Sequence, residues 1–182
     1  MSRTCESCGE RLPVMARRDA RFCGSRCRVR AYRRRHAPLP ESMTSRARWV
    51  RWESRARGAR VTKVPLTVDG CLASVSDPGS WSSYADVKAS SVGDGVGIVL
   101  GDGLGCIDLD DAIVDGVLAP WAAGIVAQHR DEAVLVEVSP SGRGVHIFLP
   151  LPEGPGRRIR EGDVKIEIYS RARYVTVTGR HI

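Results

Sequence analysis

Apolar and polar positions change rhythm several times along the chain, and each change marks an expected element. Residues 48–52 and 60–68 have strand composition, the second carrying Lys63-Val-Pro-Leu66. Asp77-Pro-Gly-Ser-Trp81 is turn chemistry leading into a short helix near 82–89. Two apolar runs, 95–100 and 104–110, are split by Gly101-Asp-Gly103, which predicts a hairpin. Helical spacing covers 119–129, with Pro120 in the first turn, where its missing N–H is harmless. Further strands are expected at 133–138 and 144–149, around Ser139-Pro-Ser-Gly-Arg-Gly144, and at 164–169 and 174–178. Strands outnumber helices and short turns join them. The expected class is α+β with a mostly antiparallel sheet.

The first 36 residues follow another logic. Cys5-Glu-Ser-Cys8 and Cys23-Gly-Ser-Arg-Cys27 are two close pairs, the spacing of one structural zinc held by four thiolates. Gly9 follows the first pair and lets the backbone turn back toward sulfur. So short a segment buries too little surface to fold alone, and a metal supplies what is missing. Disulfides are the weaker reading without a secretory signal. Cys71 and Cys106 fall outside the pattern and read as small core residues.

From Ser25, placed as an N-cap, good helix formers run to Arg35. Arg28, Arg30, Arg33, Arg34 and Arg35 give that helix a surface for nucleic-acid phosphates, with little sequence preference. A merely solvated face is the alternative. Pro38 and Pro40 then end the helix. The expected organisation is a zinc module with a basic helix at 1–36, a linker at 37–47, and a larger domain at 48–182.

Charge follows the same division. Residues 1–60 hold 17 Lys+Arg against 5 Asp+Glu, a net +12, whereas 61–182 hold 11 against 16, a net −5. A basic arm joined to an acidic domain suits a nucleic-acid partner. No run of about 18 apolar residues is present. A soluble, cytoplasmic protein with no membrane partner is expected.

Candidate chemistry centres on Leu104-Gly-Cys-Ile-Asp-Leu-Asp-Asp111. In a strand, Asp108 and Asp110 share one face while Ile107 and Leu109 take the other. Two carboxylates that close favour a hard divalent cation between them. The competing reading makes Asp110 or Asp111 the cap of a following helix. Ser141-Gly-Arg-Gly144 offers backbone N–H groups, a hydroxyl and a guanidinium to phosphate oxygens, and His146 follows on a strand. Glu167, between Ile166 and Ile168, is a possible third carboxylate.

Taken in order, these segments resemble the primase–polymerase domain of the archaeo-eukaryotic primase superfamily. The similarity is greatest to the bifunctional primase/polymerase N-terminal domain of phage and plasmid replication proteins. It rests on Lys63-Val-Pro-Leu66, Asp77-Pro-Gly-Ser-Trp81, Gly95-Val-Gly-Ile-Val-Leu100 and Cys106-Ile-Asp-Leu-Asp-Asp111. It continues through Glu137-Val-Ser-Pro-Ser-Gly-Arg-Gly-Val-His146, Ile166-Glu-Ile-Tyr-Ser170 and Arg173-Tyr-Val-Thr-Val-Thr-Gly179. The resemblance implies a catalytic core with an RRM-like sheet beside a smaller αβ unit. It implies two Mg²⁺ or Mn²⁺ ions on Asp108, Asp110 and Glu167, and nucleotide phosphates on Ser141, Gly142, Arg143 and His146. Lys63 and Arg173 are the basic positions implied to touch triphosphate or template.

The implied activity is template-directed nucleotidyl transfer in DNA replication, using single-stranded DNA and NTPs or dNTPs. In such proteins more sequence usually follows, so a separate helicase or a further C-terminal portion is an expected partner. If the protein is phage-encoded, its compartment is the bacterial host cytoplasm. Two other readings stay open: a non-catalytic zinc-dependent DNA-binding replication protein, and a metal-dependent nuclease or nucleotide hydrolase.

Overall fold

The computed structural model describes residues 3–35, 37–58 and 60–182, and of residues 34 and 35 the backbone alone. His36, the expected end of the first unit, lies outside the described residues, as do the side chains of Arg34 and Arg35. The elements run α1 (Ser25–Arg35), α2 (Glu41–Thr44), β1 (Trp49–Arg57), β2 (Arg60–Leu66), α3 (Tyr84–Ala89), β3 (Gly95–Val99) and β4 (Leu104–Leu109). They continue with β5 (Ile113–Val114), β6 (Val117–Leu118), α4 (Pro120–His129), β7 (Leu135–Val138), β8 (Val145–Pro150), β9 (Arg157–Glu161), β10 (Val164–Tyr169) and β11 (Tyr174–Val177).

Antiparallel pairing builds a four-stranded sheet in the order β11-β3-β1-β2 and a five-stranded sheet in the order β7-β8-β4-β10-β9, with β5-β6 as a small hairpin. Among the described residues no helix is long and apolar enough to cross a membrane.

One buried cluster joins the sheets: Trp49, Ile98, Leu100, Val175 and Val177 from the first meet Leu104, Cys106, Leu135 and Phe148 around the second. Ile107, Leu109, Val145, Ile147 and Leu149, on the opposite face of the five-stranded sheet, pack on Ala122 and Val126 of α4. Alternation along β4 thus sends Cys106 and Asp108 one way and Ile107 and Leu109 the other. Cys106 is a core residue as expected, but Cys71 is exposed in the turn after β2, where its N–H donates to the Thr67 hydroxyl.

The expected hairpin between the two apolar runs does not form. A strand has two edges, and those of β3 are taken by β11 and β1, while those of β4 are taken by β8 and β10. Gly101, Asp102 and Gly103 have φ of 132°, 53° and 76° and carry the chain around a corner from one sheet to the other. Arg46 Nη1 donates to the Asp102 carbonyl at 2.8 Å, and Glu153 Oε1 accepts from the Asp102 N–H at 2.9 Å, pinning that corner.

Gly93, just before β3, has φ 63°, and a Cβ there would lie 2.3 Å from the Trp52 carbonyl oxygen. Gly93→Ala combines left-handed strain with a backbone clash. It is expected to cost about 2–4 kcal/mol, read as a lowered urea midpoint.

Candidate active site and thiol cluster

Cross-strand register places the chemistry in one row. Glu137 of β7 pairs with His146 of β8, His146 with Asp108 of β4, Asp108 with Glu167 of β10, and Glu167 with Arg158 of β9. Directly opposed residues share a face, so these five side chains stand on the same side of the sheet. Lys63, Asp108, Asp110, Ser141, Arg143 and His146 open together onto a cavity of about 390 Å³. A neighbouring cleft of about 580 Å³ shares Lys63, Asp108 and His146 with it and adds Arg173 and Tyr174.

Asp108 is the electrostatically stressed member. Burial pushes its carboxyl up, Asp110 and Glu167 push it further, and His146 and Lys63 pull it back. Desolvation lowers the Lys63 ammonium, opposed by the two aspartates, and that ammonium also sits 5.5 Å over the Trp52 ring. Asp110 follows the end of β4 and keeps the ladder one step further, its N–H donating to the Lys165 carbonyl at 3.0 Å. A partly buried carboxylate beside a second one is a donor set suited to a hard oxygen-seeking cation.

Glu167 stands across from Asp108, but its oxygens face other partners. Arg158 Nε and Arg160 Nη2 lie 3.3 Å from Oε1, the Tyr169 hydroxyl donates to Oε2 at 2.8 Å, and Arg173 Nη2 is 3.7 Å from Oε2. Among the described residues, the four cysteines are the only three-or-more set of His, Cys, Asp or Glu whose ligand atoms all lie within 4.8 Å of one another. Asp108, Asp110 and Glu167 do not close to that spacing.

Asp111 does not cap a helix. It has φ 52°, no helix begins there, and its carboxylate holds Arg143 Nη2 at 2.9 Å and Lys165 Nζ at 2.7 Å. The Lys165 hydrogen bond, with added attraction from Lys165 and Arg143, keeps the Asp111 carboxyl below the usual carboxylate range. The 139–144 loop also differs from expectation. The N–H groups of Gly142, Arg143 and Gly144 donate to the Ser139 carbonyl, the Ser141 hydroxyl and the Ser139 hydroxyl respectively. The loop's offer to an anion is the Ser141 hydroxyl and the Arg143 guanidinium. Gly142, with φ 79°, serves the turn. Gly144 lets the loop close on β4, since a Cβ there would come within 3.0 Å of the Leu109 carbonyl oxygen.

Glu137 carries a role its sequence position did not advertise. It is 0 % exposed, and its carboxylate accepts from the Thr178 N–H at 3.0 Å, the Gly179 N–H at 2.8 Å and His146 Nδ1 at 3.1 Å. Nδ1 therefore carries a proton, and Nε2 faces Asp108 Oδ1 at 3.8 Å and the cavity. The available signal was loop length: counting outward from the 138–145 pair brings 137 opposite 146. Glu137→Ala leaves the buried His146 Nδ1 and the half-buried Thr178 and Gly179 amides without their acceptor. It should cost about 3–5 kcal/mol in urea denaturation and loosen the His146 ring.

At the N-terminus, Cys5, Cys8, Cys23 and Cys27 gather their sulfurs within 4.8 Å. The Cys8–Cys23 and Cys23–Cys27 sulfur separations are 3.7 and 3.5 Å. A tetrahedron with zinc–sulfur bonds of about 2.3 Å requires edges of about 3.8 Å, so the cluster fits a zinc ion. Burial opposes ionisation of Cys5, but N–H groups of Cys23, Ser7 and Cys8 outweigh it and bring the thiol down to about 6. Neighbouring thiols push Cys23 up to about 12. Gly9, φ 76°, donates its N–H to the Cys5 carbonyl, and a bidentate Arg21–Glu6 pair at 2.6 and 2.7 Å ties the halves together. Helix α1 begins at Ser25, buries Cys27 and Ala31, and exposes Arg28, Arg30 and Arg33.

A family model described as Bifunctional DNA primase/polymerase, N-terminal, matches residues 29–182. The chain belongs to this primase/polymerase family. Membership supports a DNA primase/polymerase-type function and covers every residue of the row and its cavity. The four cysteines precede the matched segment. A comparison with curated proteins found no match.

Proposed function

We propose that this primase/polymerase-family chain is a template-directed nucleotidyltransferase of phage or plasmid DNA replication, extending a 3′-hydroxyl with NTPs or dNTPs. The observation that carries the reading is the joint opening of Asp108, Asp110, His146, Ser141, Arg143 and Lys63 onto one cavity. Asp108 and Asp110 would hold Mg²⁺ or Mn²⁺, with Glu167 one strand away as the third carboxylate. Bound divalent ions lower the pKa of the attacking hydroxyl and stabilise the oxygens in line at the α-phosphorus.

The chain's own groups do the rest. The Ser141 hydroxyl, Arg143, Lys63 and, when it is protonated at Nε2 as well, His146 meet the triphosphate oxygens and offset charge as pyrophosphate leaves. Asp111 orients Arg143, and Glu137 orients His146. A zinc ion on the four cysteines would hold α1 so that Arg28, Arg30 and Arg33 face single-stranded template.

The test is direct. The protein is incubated with single-stranded DNA or a primer–template, all nucleotides, and Mg²⁺ or Mn²⁺, and products are sized. Primers or extended strands are expected. Shortened DNA or freed nucleoside mono- or diphosphates, without extension, would replace this reading with a nuclease or nucleotide hydrolase.

A further inference from the structure

Strand β9, Arg157-Arg-Ile-Arg-Glu161, was not expected from the sequence, because a lone Ile among charges has no strand rhythm. It forms the outer edge of the five-stranded sheet and is exposed at every position. Arg158 and Arg160, two residues apart, share the face of Glu167. With Arg173 they surround that carboxylate at 3.3, 3.3 and 3.7 Å. Glu167 is buried to 11 % side-chain exposure, whereas the three arginines keep 61, 56 and 47 %. Tyr169 orders the set, accepting from Arg158 Nε at 3.0 Å and lying 4.6 Å beneath the Arg173 guanidinium.

Three cations around one anion leave a surplus of positive charge facing outward. Its direction is informative. Arg160 lines the catalytic cavity, Arg173 the adjoining cleft, and Arg158 stands beyond them on the edge strand. From β4 to β9 is two interstrand steps, about 10 Å. Arg143, Lys63 and Lys165 line that cavity beside Arg160, enough positive charge for a triphosphate confined to it. An anion that fills the cavity and also runs past Arg160 to Arg158 on the edge is a polymer. The cysteine module lies toward the other edge, where Glu6 and Arg21 share a cavity with Val138, Gly142 and Arg180.

We propose that β9, through Arg158 and Arg160 with Arg173 beside them, is a track for the phosphate backbone of a nucleic-acid strand leading into the site. Glu167 holds the guanidinium groups apart and aligned until phosphates take them. The assignment of the strand as substrate rests on the proposed function, but its binding does not.

The test uses the full chain and a fluorescent 20-nucleotide single-stranded DNA, with anisotropy followed over a salt series. Arg158→Gln with Arg160→Gln should flatten the slope of log K against log salt by about 1.4, the value for two lost phosphate contacts on a single strand. Arg158→Lys with Arg160→Lys should restore most of it, which separates charge from fold. Affinity for a non-hydrolysable nucleoside triphosphate with Mn²⁺ should fall less than affinity for DNA. An unchanged slope, or a nucleotide loss equal to or above the DNA loss, overturns the track. A chain that binds through β9 but extends no primer leaves the track standing and removes the proposed function instead.

Discussion

Asp108→Asn combined with Asp110→Asn is expected to lower nucleotidyl transfer by at least about a thousandfold, some 4 kcal/mol of transition-state stabilisation. Asn keeps the size and one carbonyl oxygen of each side chain but removes the charge that a hard cation requires. DNA binding should survive, because the cationic surfaces on α1 and β9 are untouched. Extension at the wild-type rate would sink the catalytic reading of this pair. The single change Asp108→Asn carries a second expectation, in the opposite direction. Burial, Asp110 and Glu167 raise the Asp108 carboxyl, so the folded chain holds that proton more tightly than the unfolded chain does. Stability from this group is therefore present in full below the ordinary aspartate pKa and lost as pH rises through the raised value. In metal-free buffer at pH 7, Asp108→Asn should unfold at higher urea than wild type, and the gain should vanish below about pH 3.9. A gain of stability on removing that charge is what the proposed metal-holding role of Asp108 predicts.

Cys5→Ser with Cys8→Ser is expected to abolish zinc binding, from one ion per chain to none, and to unfold residues 3–35 without unfolding the sheets. Structural zinc contributes about 10 kcal/mol or more to small modules, far beyond what Cys27 and Ala31, the buried residues of α1, can supply. Metal analysis, limited proteolysis and far-ultraviolet circular dichroism check this together: early cleavage within the first 35 residues, with a protected remainder. Single-stranded DNA affinity should fall at least about tenfold, since Arg28, Arg30 and Arg33 lose their common scaffold. A chain that holds no zinc and resists proteolysis at its N-terminus would refute the zinc assignment.

Local pattern carried far in this molecule where the physics is local. Val164–Tyr169 is a strand with the expected bounds, Pro120 opens α4, and the two cysteine pairs converge as their spacing requires. Alternation alone put Asp108 opposite Ile107 and Leu109. The failures arose where a distant partner decides. The Gly101–Gly103 turn is a corner because β3 and β4 find their neighbours elsewhere in the chain. Asp111 reads as a cap until Lys165, more than fifty residues later, claims it. The amides of Gly142, Arg143 and Gly144 read as free until the Ser139 carbonyl and the hydroxyls of Ser141 and Ser139 take them. Strand β9 was invisible because an edge strand facing water on both sides has no apolar face to show.

Glu137 has a consequence beyond orienting a ring. It sits in the five-stranded sheet, yet the amides it binds, Thr178 and Gly179, follow directly on β11 of the other sheet. The two layers cannot part at that point without releasing His146. Those two amide protons are a built-in clock: each exchanges with solvent only when Glu137 lets go. Hydrogen exchange at Thr178 and Gly179, more than thirty positions from His146 along the chain, counts how often the His146 ring stands unsupported.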